Sequence, residues 1–215
     1  MKIWNRYYFV FLQGLGGTLW LAAITVFFGT ILGTVVALMR LSKSKLLHGI
    51  TAAYIEILRG TPILLQLYFF WLLLPKVLPV RVSDTFCIIV ALIVNSSSYV
   101  AEVIRAGIQA VDKGQTEAAK SLGMSDAHMM RYIILPQAVK NILPALGNEF
   151  IVMVKETSLA SVFFVGELMT SYKTVQSTTF LAIPSLTIVG LIYFLVTFTL
   201  SKGIKFFEGR MRVSD

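Results

Sequence analysis

The sequence predicts an all-α membrane protein with five transmembrane helices, its N-terminus outside and its C-terminus cytoplasmic. Three observations predict this. Hydrophobic residues make up 56% of the 215 and charged residues 14%, against about 45–50% and about 25% in soluble chains. Residues 7–39 and 174–201 run 33 and 28 positions without Asp, Glu, Lys or Arg, when ~20 residues suffice to cross the ~30 Å hydrocarbon layer as helix. Finally, the basic residues fall unevenly between the segments. The net charge of +8 would suit nucleic acid, but the cations are dispersed between apolar stretches. Lipid is therefore expected as the surrounding medium, with no nucleic acid. One cysteine, Cys87, cannot make a disulfide scaffold.

The whole chain, 1–215, reads as a single transmembrane domain. The first span is placed at 12–39, behind an interfacial lead-in. Lys2 and Arg6 ahead of an apolar run imitate a secretory signal, but the run exceeds the 7–15 residues of such a core, so the span is expected to be retained. Gly29 and Gly33 have the spacing that lets two helix backbones approach closely; equally, Gly is common in membrane helices. The second span, 52–75, takes in Glu56 and Arg59. The third, 85–107, ends in Glu102 and Arg105. The fourth, 142–165, is polar, carrying Asn148, Glu149, Lys155 and Glu156, and the fifth is 175–201. Pro62, Pro75, Pro136, Pro144 and Pro184 lie in or beside spans. Helices broken by proline are tolerated in a membrane where they line a cavity.

Orientation follows from the cations. With the loop after span one inside, the inner side collects Arg40, Lys43, Lys45, Arg105, Lys113, Lys120, Arg131, Lys140, Lys202, Lys205, Arg210 and Arg212. The outer side holds Lys2, Arg6, Lys76, Arg81 and Lys173. Twelve against five puts the N-terminus out and the C-terminus in.

Charges within a bilayer are costly, so the direction they face is informative. Asn95, Ser98, Glu102, Arg105 and Gln109 step by 3, 4, 3 and 4 residues, one stripe of a helix. Glu56, Arg59 and Gln66 share a stripe of span two. Glu56 with Arg59 and Glu102 with Arg105, each at i,i+3, are expected to pair as ions near the inner interface. Asn95, Ser98 and Glu149 sit deeper and are assigned to a hydrated path for a polar solute, with Glu102 and Gln66 completing its wall.

Residues 112–136 form a cytoplasmic loop built as two short helices. Asp112 can cap the first, with Gln115 as reciprocal partner, and Gly123 can end it. Ser125 can cap the second, which is expected to stop before Pro136. Apolar side chains at an aqueous address suggest either a docking element or an interfacial helix lying on lipid.

Within that loop, Glu117-Ala118-Ala119, then Gly123, then Ile134-Leu135-Pro136 resembles the EAA loop of ATP-binding-cassette importer permeases. Asn95-Ser-Ser-Ser-Tyr-Val-Ala-Glu-Val-Ile-Arg-Ala-Gly107, Lys155-Glu-Thr-Ser-Leu159 and Arg59-Gly-Thr-Pro62 are similar to the branch of that family that takes up polar amino acids. The resemblance spans about residues 10–210. The chain departs from the branch at Glu156, where Asp is more usual and charge is kept.

The resemblance implies a five-helix, MetI-like permease core working as a pair, with a second copy or a sister permease. It further implies a dimer of cytoplasmic ATPase subunits, which hold ATP and Mg²⁺, and an extracytoplasmic binding protein that delivers the amino acid. Glu117, Ala118, Ala119 and Gly123 would dock the ATPase. Alternating access in a bacterial inner membrane would move the substrate. The chain lacks the phosphate loop Gly-x-x-x-x-Gly-Lys-Ser/Thr, so it is expected to be a transport subunit and not an enzyme, with no cofactor of its own. His48, His128 and Cys87 are isolated, giving no metal-ligand spacing. The alternative is a self-sufficient ion-coupled carrier or channel using Glu102, Glu149 or Glu156. Such carriers often show internal repeats; five spans do not halve, and a carrier has no use for a docking loop. An acidic excess in the path favours a basic amino acid, unless Lys155 neutralises one glutamate.

Overall fold

The computed structural model describes residues 2–212, and these are helical throughout their regular structure. The helices are α1 (Lys2–Leu41), α2 (Lys45–Gly60), α3 (Ile63–Val77), α4 (Asp84–Gln109), α5 (Lys113–Ser121), α6 (Asp126–Met129), α7 (Leu135–Glu156), α8 (Leu168–Thr179) and α9 (Ala182–Arg212). Three of them, α1, α4 and α9, are each long and apolar enough to cross a membrane alone. Their burial differs: 56% of the apolar stretch of α4 is buried inside the molecule, 39% of that of α1 and 11% of that of α9. So α4 is the inner helix, packed by α1, α2, α3 and α7, and α9 turns Leu191, Phe194, Leu195 and Phe198 outward.

Lipid offers no hydrophobic drive for helix association, so close backbone approach and interhelical hydrogen bonds must hold the bundle. Gly29 and Gly33 supply the first. A Cβ on Gly33 would lie 2.7 Å from both the Ser97 carbonyl oxygen and Val100 Cβ, and one on Gly29 would lie 3.0 Å from Ser96 Cβ. Both glycines therefore belong to the α1–α4 seam. Nearer the start of α1, a side chain at Gly17 would collide with the Gly166 carbonyl, and there Thr18 Oγ1 accepts the Leu168 N–H at 3.1 Å.

Three expected boundaries differ from the structure. The span at 52–75 is two helices, α2 and α3, bent by 111° at Thr61–Pro62. Pro62 disfavours helical geometry in the residue before it, and Thr61 is extended at φ −119°, ψ 148°. The stretch 142–165 is α7 followed by a 3₁₀ segment, Thr157–Phe163, which stops at left-handed Phe164 (φ 54°). The stretch 175–201 is divided between α8 and α9, because Phe180 is left-handed (φ 58°) and Pro184 fits only the first turn of a new helix.

Candidate functional site

The break between α2 and α3 leaves a carbonyl to satisfy. Leu58 C=O would ordinarily accept the N–H four residues on, but that residue is Pro62, which has none. Gln66 Nε2 replaces it, donating to Leu58 O at 2.8 Å, Thr61 O at 3.2 Å and Thr61 Oγ1 at 2.9 Å. Gln66 Oε1 then accepts from Asn95 Nδ2 of α4 at 2.8 Å.

Four consecutive residues of α4 carry this pattern onward. Asn95 reaches α3; Ser96 Oγ donates to Glu149 Oε1 of α7 at 3.1 Å; Ser97 Oγ and the Tyr54 hydroxyl of α2 lie 2.6 Å apart. Ser98 turns back on its own helix, donating to Asn95 O at 2.7 Å. Each hydrogen bond between helices is worth on average about 0.6 kcal/mol in a membrane. Three such bonds fix three neighbours against one turn of α4.

Between the start of α3, α4 and α7 lies a cavity of about 280 Å³ lined by Thr61, Pro62, Ile63, Asn95, Tyr99, Glu149, Val152, Met153 and Glu156. The α7 positions 149, 152, 153 and 156 are spaced 3, 1 and 3, one face of a helix. Asn95 and Tyr99 are one turn apart on α4. The two carboxylates are the only charged side chains of the lining. Lys155 lines a different cavity, with Ser158, Leu159, Ser161, Val162, Met169 and Tyr193, so it does not sit between the glutamates. Asn148 lines a third, beside Asn141, Ser201 and Glu208.

Of the five residues assigned to the path, Asn95 and Glu149 thus line one cavity. Gln66 and Ser98 are buried behind its wall, serving the break and the helix. Glu102 lies toward the C-terminal end of α4, where Arg105 Nε donates to its Oε2 at 2.9 Å. The expected Glu102–Arg105 pair is therefore formed, whereas Arg59 faces Glu102 at 4.0 Å rather than Glu56. The Arg59 guanidinium also lies 5.4 Å over the Tyr99 ring, and Glu56 is exposed.

The loop 112–136 starts as expected: Asp112 caps α5, accepting the Gly114 N–H at 2.7 Å. Gln115 does not reciprocate; its Oε1 accepts from Gln137 Nε2 at 3.4 Å. Gly123 ends α5 at φ +75°. Met124 N–H donates to Ala119 O at 3.1 Å and Gly123 N–H to Lys120 O at 2.9 Å, the paired bonds of a Schellman close. Ala119 is buried against Met129 and Ile134, while Glu117, Ala118 and Gly123 are exposed. Ser125 caps α6, but the second helix does not stop before Pro136. It passes through a π turn, Met130–Ile134, in which Leu135 N–H bonds Met130 O, and continues into α7. Pro136 directly follows the π turn, where the widened hydrogen-bond pattern accommodates its missing N–H. The second half of the loop, from α6 onward, and the cavity helix α7 are thus one continuous rod.

Sequence reasoning missed Glu167. It is fully buried and caps α8, accepting Met169 N–H at 2.7 Å, Thr170 N–H at 2.6 Å and the Tyr193 hydroxyl of α9 at 3.0 Å. Its only signal was an acid stranded in an apolar run.

Residues 26–213 match the family described as binding-protein-dependent transport system inner membrane component. The arginine transport system permease protein ArtQ of Bacillus subtilis (strain 168) is 38% identical over 204 residues, covering 95% of this chain and 93% of that protein. The probable glutamine ABC transporter permease protein GlnM of the same organism is 37% identical over 205 residues, covering 95% and 94%. A crystal structure of an amino acid ABC transporter with histidines superposes at TM-score 0.92 and 45% identity, covering 96% of each chain. The inward-facing MetNI methionine ABC transporter shares the fold at TM-score 0.71 and 17% identity, over 92% of this chain and 96% of that one.

Proposed function

The chain belongs to the family of binding-protein-dependent transport system inner membrane components, and on that premise we propose that it is the permease subunit of an ATP-driven importer of polar, basic amino acids. It works in a bacterial inner membrane as one of two permeases, with an ATPase dimer inside and a binding protein outside. Five spans, with the N-terminus out, cross the bilayer: α1, the bent pair α2–α3, α4, α7 and α9. The relatives named for arginine and glutamine transport support an amino acid as cargo.

The observation that carries the substrate class is the cavity with two lining carboxylates and no lining cation. An amino acid brings an α-carboxylate and an α-ammonium group; a basic one brings a further cation. Glu149 and Glu156 answer cations, while Asn95 amide and Thr61 hydroxyl can meet either end. The ion-coupled alternative has no support in the exposed Glu117–Ala118 face, which a partner protein explains.

Movement follows from the continuous rod. ATP and Mg²⁺ reside on the partner ATPase, and closure of its dimer displaces α5 and α6. Since α6 runs through the π turn into α7, that displacement reaches Glu149 and Glu156 directly. The Thr61–Pro62 break forms the opposite wall, where Gln66 of α3 stays tied to the end of α2. The test is uptake of arginine, lysine and glutamine by the purified transport complex in liposomes. Wild type should prefer the basic pair, and Glu149→Gln should erase most of that preference; an unchanged preference would refute the assignment. Mass spectrometry of proteins retained by the tagged chain in mild detergent should find a stoichiometric ATPase with a phosphate loop.

A further inference from the structure

The three serines after Asn95 do not behave alike. Ser97 and Ser98 donate to carbonyls three residues back, Val94 O and Asn95 O, both at 2.7 Å, the usual use of a serine hydroxyl inside an apolar helix. Ser96 instead donates across the bundle to Glu149 Oε1 at 3.1 Å. It is fully buried and stands outside the cavity lining, so a solute in the cavity does not touch it. Behind it lies α1, where Gly29 presents no side chain; a Cβ there would come within 3.0 Å of both Ser96 Cβ and Oγ.

We infer that Ser96 is a positioning residue: seated against α1 where Gly29 leaves it room, its hydroxyl holds the Glu149 carboxylate in the one orientation that faces the cavity. The inference rests on the reading of that cavity as the substrate site. A glutamate on a helix has three side-chain torsions, and an untethered carboxylate would spread over several rotamers. A bond from the neighbouring helix selects one in advance, which lowers the cost of meeting a cation. Gly29 sets the depth of Ser96, Ser96 sets Glu149, and Glu149 meets the solute.

The experiment measures arginine and glutamine uptake by the purified transport complex in liposomes, for Ser96→Ala, Glu149→Gln, the double variant and Gly29→Ala. Loss of one hydrogen bond to a charged group should raise KM for arginine about fivefold or more, with Vmax near wild type and glutamine KM little changed. In the Glu149→Gln background, Ser96→Ala should add nothing. Gly29→Ala, which leaves both partners intact but crowds Ser96, should shift arginine KM in the same direction, and it carries the test should Ser96→Ala not assemble. If Glu149→Gln alters the arginine preference but Ser96→Ala and Gly29→Ala do not, or act additively with it, the positioning role is overturned. So is it if they lower Vmax equally for both amino acids, as a packing defect would. If Glu149→Gln itself leaves the preference unchanged, the cavity reading fails and the inference with it.

Discussion

Asn95 Nδ2 and Gln66 Oε1 meet at 2.8 Å, and through that bond α4 holds the severed end of α2 as well as α3. Gln66 is the carrier, because its amide nitrogen occupies the place of the N–H that Pro62 lacks, on the Leu58 carbonyl. A buried amide accepts from one helix and donates to the end of another. The break is thus stabilised by the same residue that connects it to the cavity wall.

Gln66→Leu should remove that replacement and leave the Leu58 carbonyl and the Asn95 amide without partners. An unsatisfied buried polar group costs about 1–3 kcal/mol, so the detergent-solubilised protein should melt at a clearly lower temperature. Pro62→Ala returns an N–H to position 62. In that background the same Gln66→Leu change should cost less, and equal losses in both backgrounds would show that Gln66 does not serve the break.

The α1–α4 seam predicts a graded response to added methyl groups. Gly33→Ala places a Cβ 2.7 Å from the Ser97 backbone oxygen, so the helices must part. Gly16→Ala meets nothing within 4 Å and gains about 0.8–1 kcal/mol in helix propensity. The melting temperature should fall for Gly33→Ala and hold or rise for Gly16→Ala.

Gly123→Val forces a β-branched residue into φ +75°, at a cost of roughly 1–2 kcal/mol. The strain falls on an exposed loop, so the bundle should remain folded and monodisperse. Uptake should drop by tenfold or more, and the tagged variant should retain less ATPase. Wild-type uptake by a folded Gly123→Val protein would separate the loop from coupling.

Much of this was legible in the chain. The long uncharged runs of α1 and α9 and the stripe of α4 announce themselves by length and by 3-4 spacing. The Glu102–Arg105 pair lies within one helix, so spacing alone revealed it. What stayed hidden depended on partners distant in sequence. Nothing near Gln66 says that it faces Leu58 and Asn95 instead of solute, and nothing near Arg59 says that it prefers Glu102 to Glu56. Adjacent Lys155 and Glu156 face different cavities because they lie 100° apart on α7, and which direction is inward depends on where α4 packs. The left-handed turns at Phe164 and Phe180 defeat prediction more thoroughly, since they use neither Gly nor Asn.

Glu167 gives the sharpest stability prediction, because its carboxylate accepts from two helices at once, α8 and α9. It satisfies the first N–H groups of α8, the Thr170 hydroxyl at 3.1 Å and Tyr193 of α9, while α8 itself is held to α1 by Thr18 and by Ser171 Oγ donating to Val10 O at 2.9 Å. Glu167→Ala strands the two amides at the start of α8 and takes from the half-buried Tyr193 hydroxyl its carboxylate acceptor. A lost cap costs about 0.5–2 kcal/mol, and each stranded buried group adds about 1–3 kcal/mol, so the variant should accumulate poorly and melt well below wild type. Glu167→Gln keeps an acceptor oxygen of nearly the same reach and should be far milder, retaining assembly and uptake. Tyr193→Phe removes one donor and leaves the cap intact; its melting temperature should fall between wild type and Glu167→Ala. If Glu167→Ala melts and transports like wild type, α8 is held by its α1 contacts alone, and the carboxylate has no structural part in joining α8 to α9.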